Sequence, residues 1–178
     1  MPLSDSDLLV RIWAEDDRRA FEELVRRHQS SVRGLLRRLC AGDASRADDL
    51  AQETFLRAYQ SIRSFRGESK FTSWLYRIAY NVFLAQARRR PDTPGAPELD
   101  GREATDAAHP AMLKYDLEKA MALLRPEERA ALVLTYGQGL PHEEAASILD
   151  CPLGTLKTHV SRGKARLREI LAAEGAPA

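Results

Sequence analysis

Thr155, Lys157, Thr158, Ser161 and Arg162 set short hydrogen-bonding groups beside cations near the end of this 178-residue chain. On a helix they would surround Leu156, Val160, Gly163 and Leu167, which are spaced i, i+4, i+7 and i+11 and bury one face, with the glycine allowing close approach. A helix that offers only short polar and cationic groups outward suits the major groove, where Arg and Lys read guanine edges and Ser or Thr are versatile partners. From Leu153 to Arg168 the cations Lys157, Arg162, Lys164, Arg166 and Arg168 occur without one acid, a local +5 stripe that attracts phosphate.

A second constellation lies upstream. Phe65, Phe71, Trp74, Tyr76, Tyr80 and Phe83 interleave with Lys70, Arg77, Asn81, Arg88, Arg89 and Arg90. Bases stack on aromatic faces for about 1–3 kcal/mol each while cations track the backbone, so this combination points to single-stranded nucleic acid. Phe71 and Trp74 are better read as core, whereas Arg77, Asn81 and Arg88 share a helical face and are read as functional. A third group, Asp49, Gln52, Glu53 and Leu56, forms a polar and partly apolar patch on which a partner protein could dock.

Enzymatic chemistry finds no support. His28, His109, His142 and His159 are scattered, and HEEAA lacks the second histidine of a zinc protease motif. Asp48 and Asp49 face different directions on a helix, and no nucleophile or phosphate loop emerges. Neither catalytic residues nor a metal or cofactor is expected. Cys40 and Cys151 lie far apart without a CxxC, which excludes a disulfide scaffold and the common zinc spacings and fits a reducing cytoplasm. Both are expected to pack as small hydrophobes. No run approaches the roughly 18 apolar residues that span a bilayer. The start, MPLSDSDLLVRIW, is acidic where a secretory signal is basic. Membrane insertion and export are therefore not expected.

The elements that must hold these groups are helices. Hydrophobic residues make up 44% and charged residues 30%, which is globular composition, and the apolar positions recur with the 3.6 period of an all-α fold. Ser4 with Asp7 caps a short first helix, and a longer one runs from about Asp17 to Cys40, ended by Gly42. Ser45 with Asp48 repeats the capping box before a third helix whose Leu50, Ala51, Thr54, Ala58 and Ile62 share a face. The fourth covers about Phe71 to Arg90, with Trp74, Leu75, Ile78, Ala79 and Val82 inward, and Pro91 stops it.

Charge divides the chain. Residues 1–90 carry 17 Lys and Arg against 12 Asp and Glu, whereas 91–112 carry one Arg against five acids, and 113–178 hold nine of each sign. From Pro91 to Pro110 there are four prolines, two glycines, five acids and a single large aliphatic residue, Leu99, which marks a flexible linker. Two small helical domains are thus expected, at 1–90 and 112–178, joined by a Pro-rich acidic linker at 91–111. The second opens with Met112, Leu113, Leu117, Met121 and Leu124 on one face. Pro126 then starts a helix that ends near Gly137 and Gly139. A short helix from Pro141 carries Ala145, Ala146 and Leu149, DCPLG turns the chain, and a final helix spans about Thr155 to Ala172. Small helix, short turn and basic helix is the helix-turn-helix order.

The strings DDLAQETFLRAYQSIRSF and FTSWLYRIAYNVFLAQARRR, the Pro-rich linker, and LRPEERAALVLTYGQGLPHEEAASILDCPLGTLKTHVSRGKARLRE resemble, in order and spacing, a bacterial RNA polymerase sigma factor of the extracytoplasmic function group. The resemblance covers nearly the whole chain. It implies a promoter-specificity subunit that performs no catalysis, binds core RNA polymerase and promoter DNA, and is held inactive by an anti-sigma factor. The first domain resembles region 2, so Asp49, Gln52, Glu53 and Leu56 would meet the clamp helices of the largest polymerase subunit, and Lys70, Arg77, Asn81 and Arg88 the opened minus-ten strand. The second resembles region 4, with Thr155, Lys157, Thr158, Ser161 and Arg162 in or beside the major groove of the minus-thirty-five element. Tyr80 stands where many relatives have a basic residue, His159 where Arg is frequent, and Asp150 where Gly often precedes the turn. Two other readings compete: a free-standing helix-turn-helix regulator working as a homodimer, and a sigma-like mimic that sequesters an anti-sigma factor. Lys157, Arg162 and Arg88 argue against the mimic, and the separate first domain argues against the regulator.

Overall fold

The structure is a computed structural model and describes residues 3–89 and 116–174. The linker at 91–111, with Met112 and Leu113, lies outside the described residues. Every regular element among the described residues is helical.

Helix α1 (Asp5–Glu15) begins with a capping box, in which Ser4 Oγ accepts from Asp7 N at 3.2 Å and Asp7 Oδ2 accepts from Ser4 N at 2.8 Å. The Ser4 hydroxyl and backbone N–H hold the Asp7 carboxyl below its ordinary range. Helix α2 (Arg18–Leu39) starts on Asp17, whose carboxylate accepts from Arg19 N and Ala20 N. It ends where Ala41 and Gly42, at φ 53° and 91°, enter the left-handed region, and Gly42 N closes the last turn onto Arg37 O at 2.9 Å.

Helix α3 (Ala44–Ser61) is capped by Asp43, not by Ser45. The Gly42 turn delivers Asp43 directly to the helix start, where its carboxylate accepts from Arg46 N at 2.9 Å. Asp48 pairs instead with Arg33 at 3.2 Å. Leu50, Ala51, Thr54, Ala58 and Ile62 are all buried, as their spacing predicts. A 3-10 turn (Ile62–Ser64) and a polar loop lead into α4 (Phe71–Arg89).

In the second half, α5 covers 116–122 and α6 (Pro126–Leu132) opens with Pro126 in its first turn and Glu127 and Glu128 behind it. A π turn (Val133–Gly137) extends α6, and α7 (His142–Leu149) ends on Asp150 at φ 54°. Helix α8 (Leu153–Glu174) starts two residues before Thr155. Leu124 is buried on the expected face, but Leu117 is 44% exposed and lines a groove.

Helix α2 packs against α1, α3 and α4, and α8 packs against α6 and α7. The two halves touch, α4 against α7 and the end of α2 against the π turn. The bolt between them is Arg129, 2% exposed, whose NH1 donates to Leu39 O at 2.8 Å across the halves while NH2 donates to Ala122 O at 2.7 Å and Leu124 O at 3.2 Å within its own half.

Candidate functional site

Helix α8 is anchored by Leu156 and Val160, both buried, and by Gly163, where an added Cβ would stand 3.0 Å from Leu132 Cδ1. That apolar seam fixes the rotation of the helix, and Thr155, Lys157, Thr158, Ser161 and Arg162 all come out exposed together. Thr158 Oγ1 donates to Gly154 O at 2.9 Å, so its hydroxyl oxygen remains an acceptor for an outside donor. Lys164 leaves the cationic stripe, because its ammonium sits 4.2 Å from the ring centroid of Tyr136 in the π turn.

The sequence places Arg77, Asn81 and Arg88 on α4, and Lys70 in the loop just before it, in the open, and all four are exposed. The aromatic residues behave differently. Phe65, Phe71, Tyr76, Tyr80 and Phe83 are buried, and Trp74 is half-buried. Phe71 packs 5.6 Å from Phe65 edge-on and 5.6 Å from Trp74 face-on, with His28 also edge-on at 5.3 Å. The guanidinium groups of Arg46 and Arg129 stand over the Phe83 ring, 5.8 and 6.0 Å from its centroid. The aromatic excess of this helix therefore serves packing within and between the halves, leaving the cations as its outward chemistry.

Helix α7 covers part of this face. Ser73 Oγ donates to Glu144 Oε1 at 2.6 Å, Tyr76 OH donates to Gln138 Oε1 at 3.2 Å, and Arg77 NH2 lies 3.0 Å from Asp150 Oδ1. Burial, with help from Glu127 and Cys151 and opposition from Arg88, pushes the Tyr80 phenol up to about 12. Burial and Asp150 likewise push the Cys151 thiol up, which keeps it a thiol and not a reactive thiolate. Sequence reasoning did not single out Glu144, Gln138, Ser73 or Arg129. The available signal was an arginine at 129 one helical turn before the apolar Val133.

On α3, Asp49, Gln52 and Leu56 are exposed at i, i+3 and i+7, and Leu56 keeps 53% of its surface open. Glu53 is half-buried beside them, its Oε1 accepting from Arg57 Nε at 2.6 Å. Among the described residues no group of His, Cys, Asp and Glu is placed to hold a metal ion, and no helix is long and apolar enough to cross a membrane. Between the end of α2, α5, the π turn and α8 lies a groove of about 660 Å³, lined by Leu117, Met121, Leu132, Val133 and Leu167 and rimmed by Arg37, Arg38 and Lys164.

Comparison with known proteins assigns these surfaces to one family. Residues 24–91 match sigma-70 region 2, and residues 114–167 match sigma-70 region 4. The chain is 34% identical to the RNA polymerase sigma-H factor of Pseudomonas aeruginosa over 94% of this chain and 93% of that protein. It is 38% identical to the ECF RNA polymerase sigma-E factor of Haemophilus influenzae over 91% of this chain and 92% of that one. Among solved structures, the sigma factor RpoE of Bartonella quintana, co-crystallised with the anti-sigma factor NepR, superposes with a TM-score of 0.66 at 29% identity, covering 85% of this chain and 96% of that chain. With an outward basic helix on a helix-turn-helix, a cationic α4 and both sigma regions in order, the chain belongs to the sigma-70 family, in the extracytoplasmic function group of RNA polymerase sigma factors.

Proposed function

We propose that this sigma factor divides promoter-directed initiation among three surfaces of one chain acting in the cytoplasm. Asp49, Gln52, Glu53 and Leu56 on α3 dock on core RNA polymerase, since three of the four stand exposed along one helix face. Lys70, Arg77, Asn81 and Arg88 hold the opened minus-ten strand. Thr155, Lys157, Thr158, Ser161 and Arg162 enter the major groove of the minus-thirty-five element. The domain division at 1–90, 91–111 and 112–178 follows the same roles, with polymerase binding and melting in the first part and upstream recognition in the last. An anti-sigma factor holds the chain inactive, a partnership supported by the co-crystal of the related RpoE with the anti-sigma factor NepR. No group of the chain performs chemistry; polymerase does.

The observation that carries this reading is the α8 face, where five side chains of base-reading type are exposed together while the opposite side is locked to α6 by Gly163 and Leu132. Run-off transcription with purified core polymerase on a genomic library tests it. Discrete transcripts sharing an upstream and a downstream element are expected, and they should disappear with the combined Asp49→Ala, Gln52→Ala and Glu53→Ala variant because core binding weakens while the chain stays folded. Tight duplex binding without polymerase and no transcripts with it would favour a free-standing regulator.

A further inference from the structure

One side of α8 is lined by Lys157, Ser161, Lys164 and Arg168, which follow one another at i, i+4, i+7 and i+11. Lys157, Ser161 and Arg168 are exposed, whereas Lys164 is half-buried. Its ammonium stands over the Tyr136 ring, 4.2 Å from the centroid, where the negative face of the π system attracts it. The ring itself is 60% exposed, yet the backbone that carries it is held in place. Tyr136 belongs to the π turn, which Gln138 N closes onto Val133 O at 2.8 Å. The next residue, Gly137, lies so close to α2 that an added Cβ would stand 3.2 Å from Arg38 Cδ. The turn is thus pressed against α2 and presents a fixed aromatic face to α8. A lysine carries one compact charge on a flexible stem, so an ammonium seated on the ring is not seated on a phosphate.

We propose that Tyr136 is an affinity-tuning residue, whose ring holds the Lys164 ammonium off the DNA backbone when α8 lies on duplex. The proposal rests on assigning α8 to the upstream element. A phosphate contact adds to binding at every sequence, so withholding one cation lowers the hold on all duplex alike and leaves the base contacts of Arg162 and its neighbours as they are. A ring contact of this kind favours the seated ammonium by about two- to fivefold, so the restraint is partial.

The test follows the anisotropy of a labelled, mixed-sequence duplex with the full chain at several salt concentrations. Tyr136→Leu removes the ring and keeps an apolar side chain, whereas Tyr136→Phe keeps the ring and loses only the hydroxyl. Tyr136→Leu is expected to bind about two- to fivefold tighter than the wild type. Its salt dependence should steepen, by at most the roughly 0.9 of one further phosphate. Tyr136→Phe should match the wild type, and adding Lys164→Ala to Tyr136→Leu should abolish both gains. Leu and Phe variants that behave alike, or a gain that survives Lys164→Ala, overturn the proposal. So does Lys164→Ala by itself flattening the salt dependence as fully as Arg168→Ala, because Lys164 would then already sit on phosphate. Lys157→Ala reports on the reading beneath. If it leaves affinity and salt dependence unchanged, the assignment of α8 to duplex falls and the proposal with it. A weaker, flatter Lys157→Ala with no gain from Tyr136→Leu removes the tuning role and keeps that assignment.

Discussion

Arg129 shows how much one side chain can do when its charge is wholly enclosed. It ranks among the largest fully buried side chains, and its guanidinium satisfies carbonyls of Leu39, Ala122 and Leu124. Buried acceptors left without a donor cost about 1–3 kcal/mol each. Arg129→Met is therefore expected to lower the unfolding free energy by about 2–4 kcal/mol, seen as a lower urea midpoint. Tyr80 makes a second prediction, in pH. Burial favours its neutral phenol and raises its pKa from 10.0 in the unfolded chain to about 12 in the fold. That contribution is complete below pH 10 and is lost as the pH climbs from 10 towards about 12, because the unfolded chain ionises first. Denaturation midpoints across this alkaline range should fall for the wild type and fall less steeply for Tyr80→Phe. Neither role was legible in the sequence. Arg129 was not singled out and Tyr80 counted among the stacking aromatics, since enclosure by a distant segment leaves no local mark.

At the scale of elements the reading was much closer. The 3.6 period named the inward face of α3 residue by residue, because burial of that face is what its spacing encodes. It missed the cap, since Asp43 and Ser45 are both competent and only the left-handed Ala41 and Gly42 turn decides which one meets the helix start. The seam on α8 was legible for the same periodic reason, and it sets the register tested next. Arg162 and Arg168 are both exposed on α8, more than one turn apart. Arg162→Ala should cost about 1–3 kcal/mol and relax specificity at one upstream position. Arg168→Ala should weaken all promoters alike and flatten the salt dependence by roughly one contact. Transcription from a promoter library randomised upstream measures both, and exchanged phenotypes would show that the recognition helix is oriented differently.

For the whole molecule, composition divided the chain into two helical halves and a linker, yet nothing in it indicated that the halves meet. Beside the apolar packing, the polar joining contacts are far apart in sequence: Tyr76 with Gln138, Ser73 with Glu144, and Arg129 with the end of α2. No periodic signal links positions so distant. Joined in this way, the halves should unfold together, so calorimetry is expected to record one endotherm for the wild type and two separable ones for Arg129→Met. The buried pair Tyr76 and Tyr80 carries a further thermodynamic signature. Any partner that needs the covered side of α4 must first return these two rings to water, and hydrating apolar surface raises the heat capacity. The heat-capacity change on forming such a complex would then be less negative than the newly buried area alone requires, and the shortfall would measure how much of the internal contact had been given up.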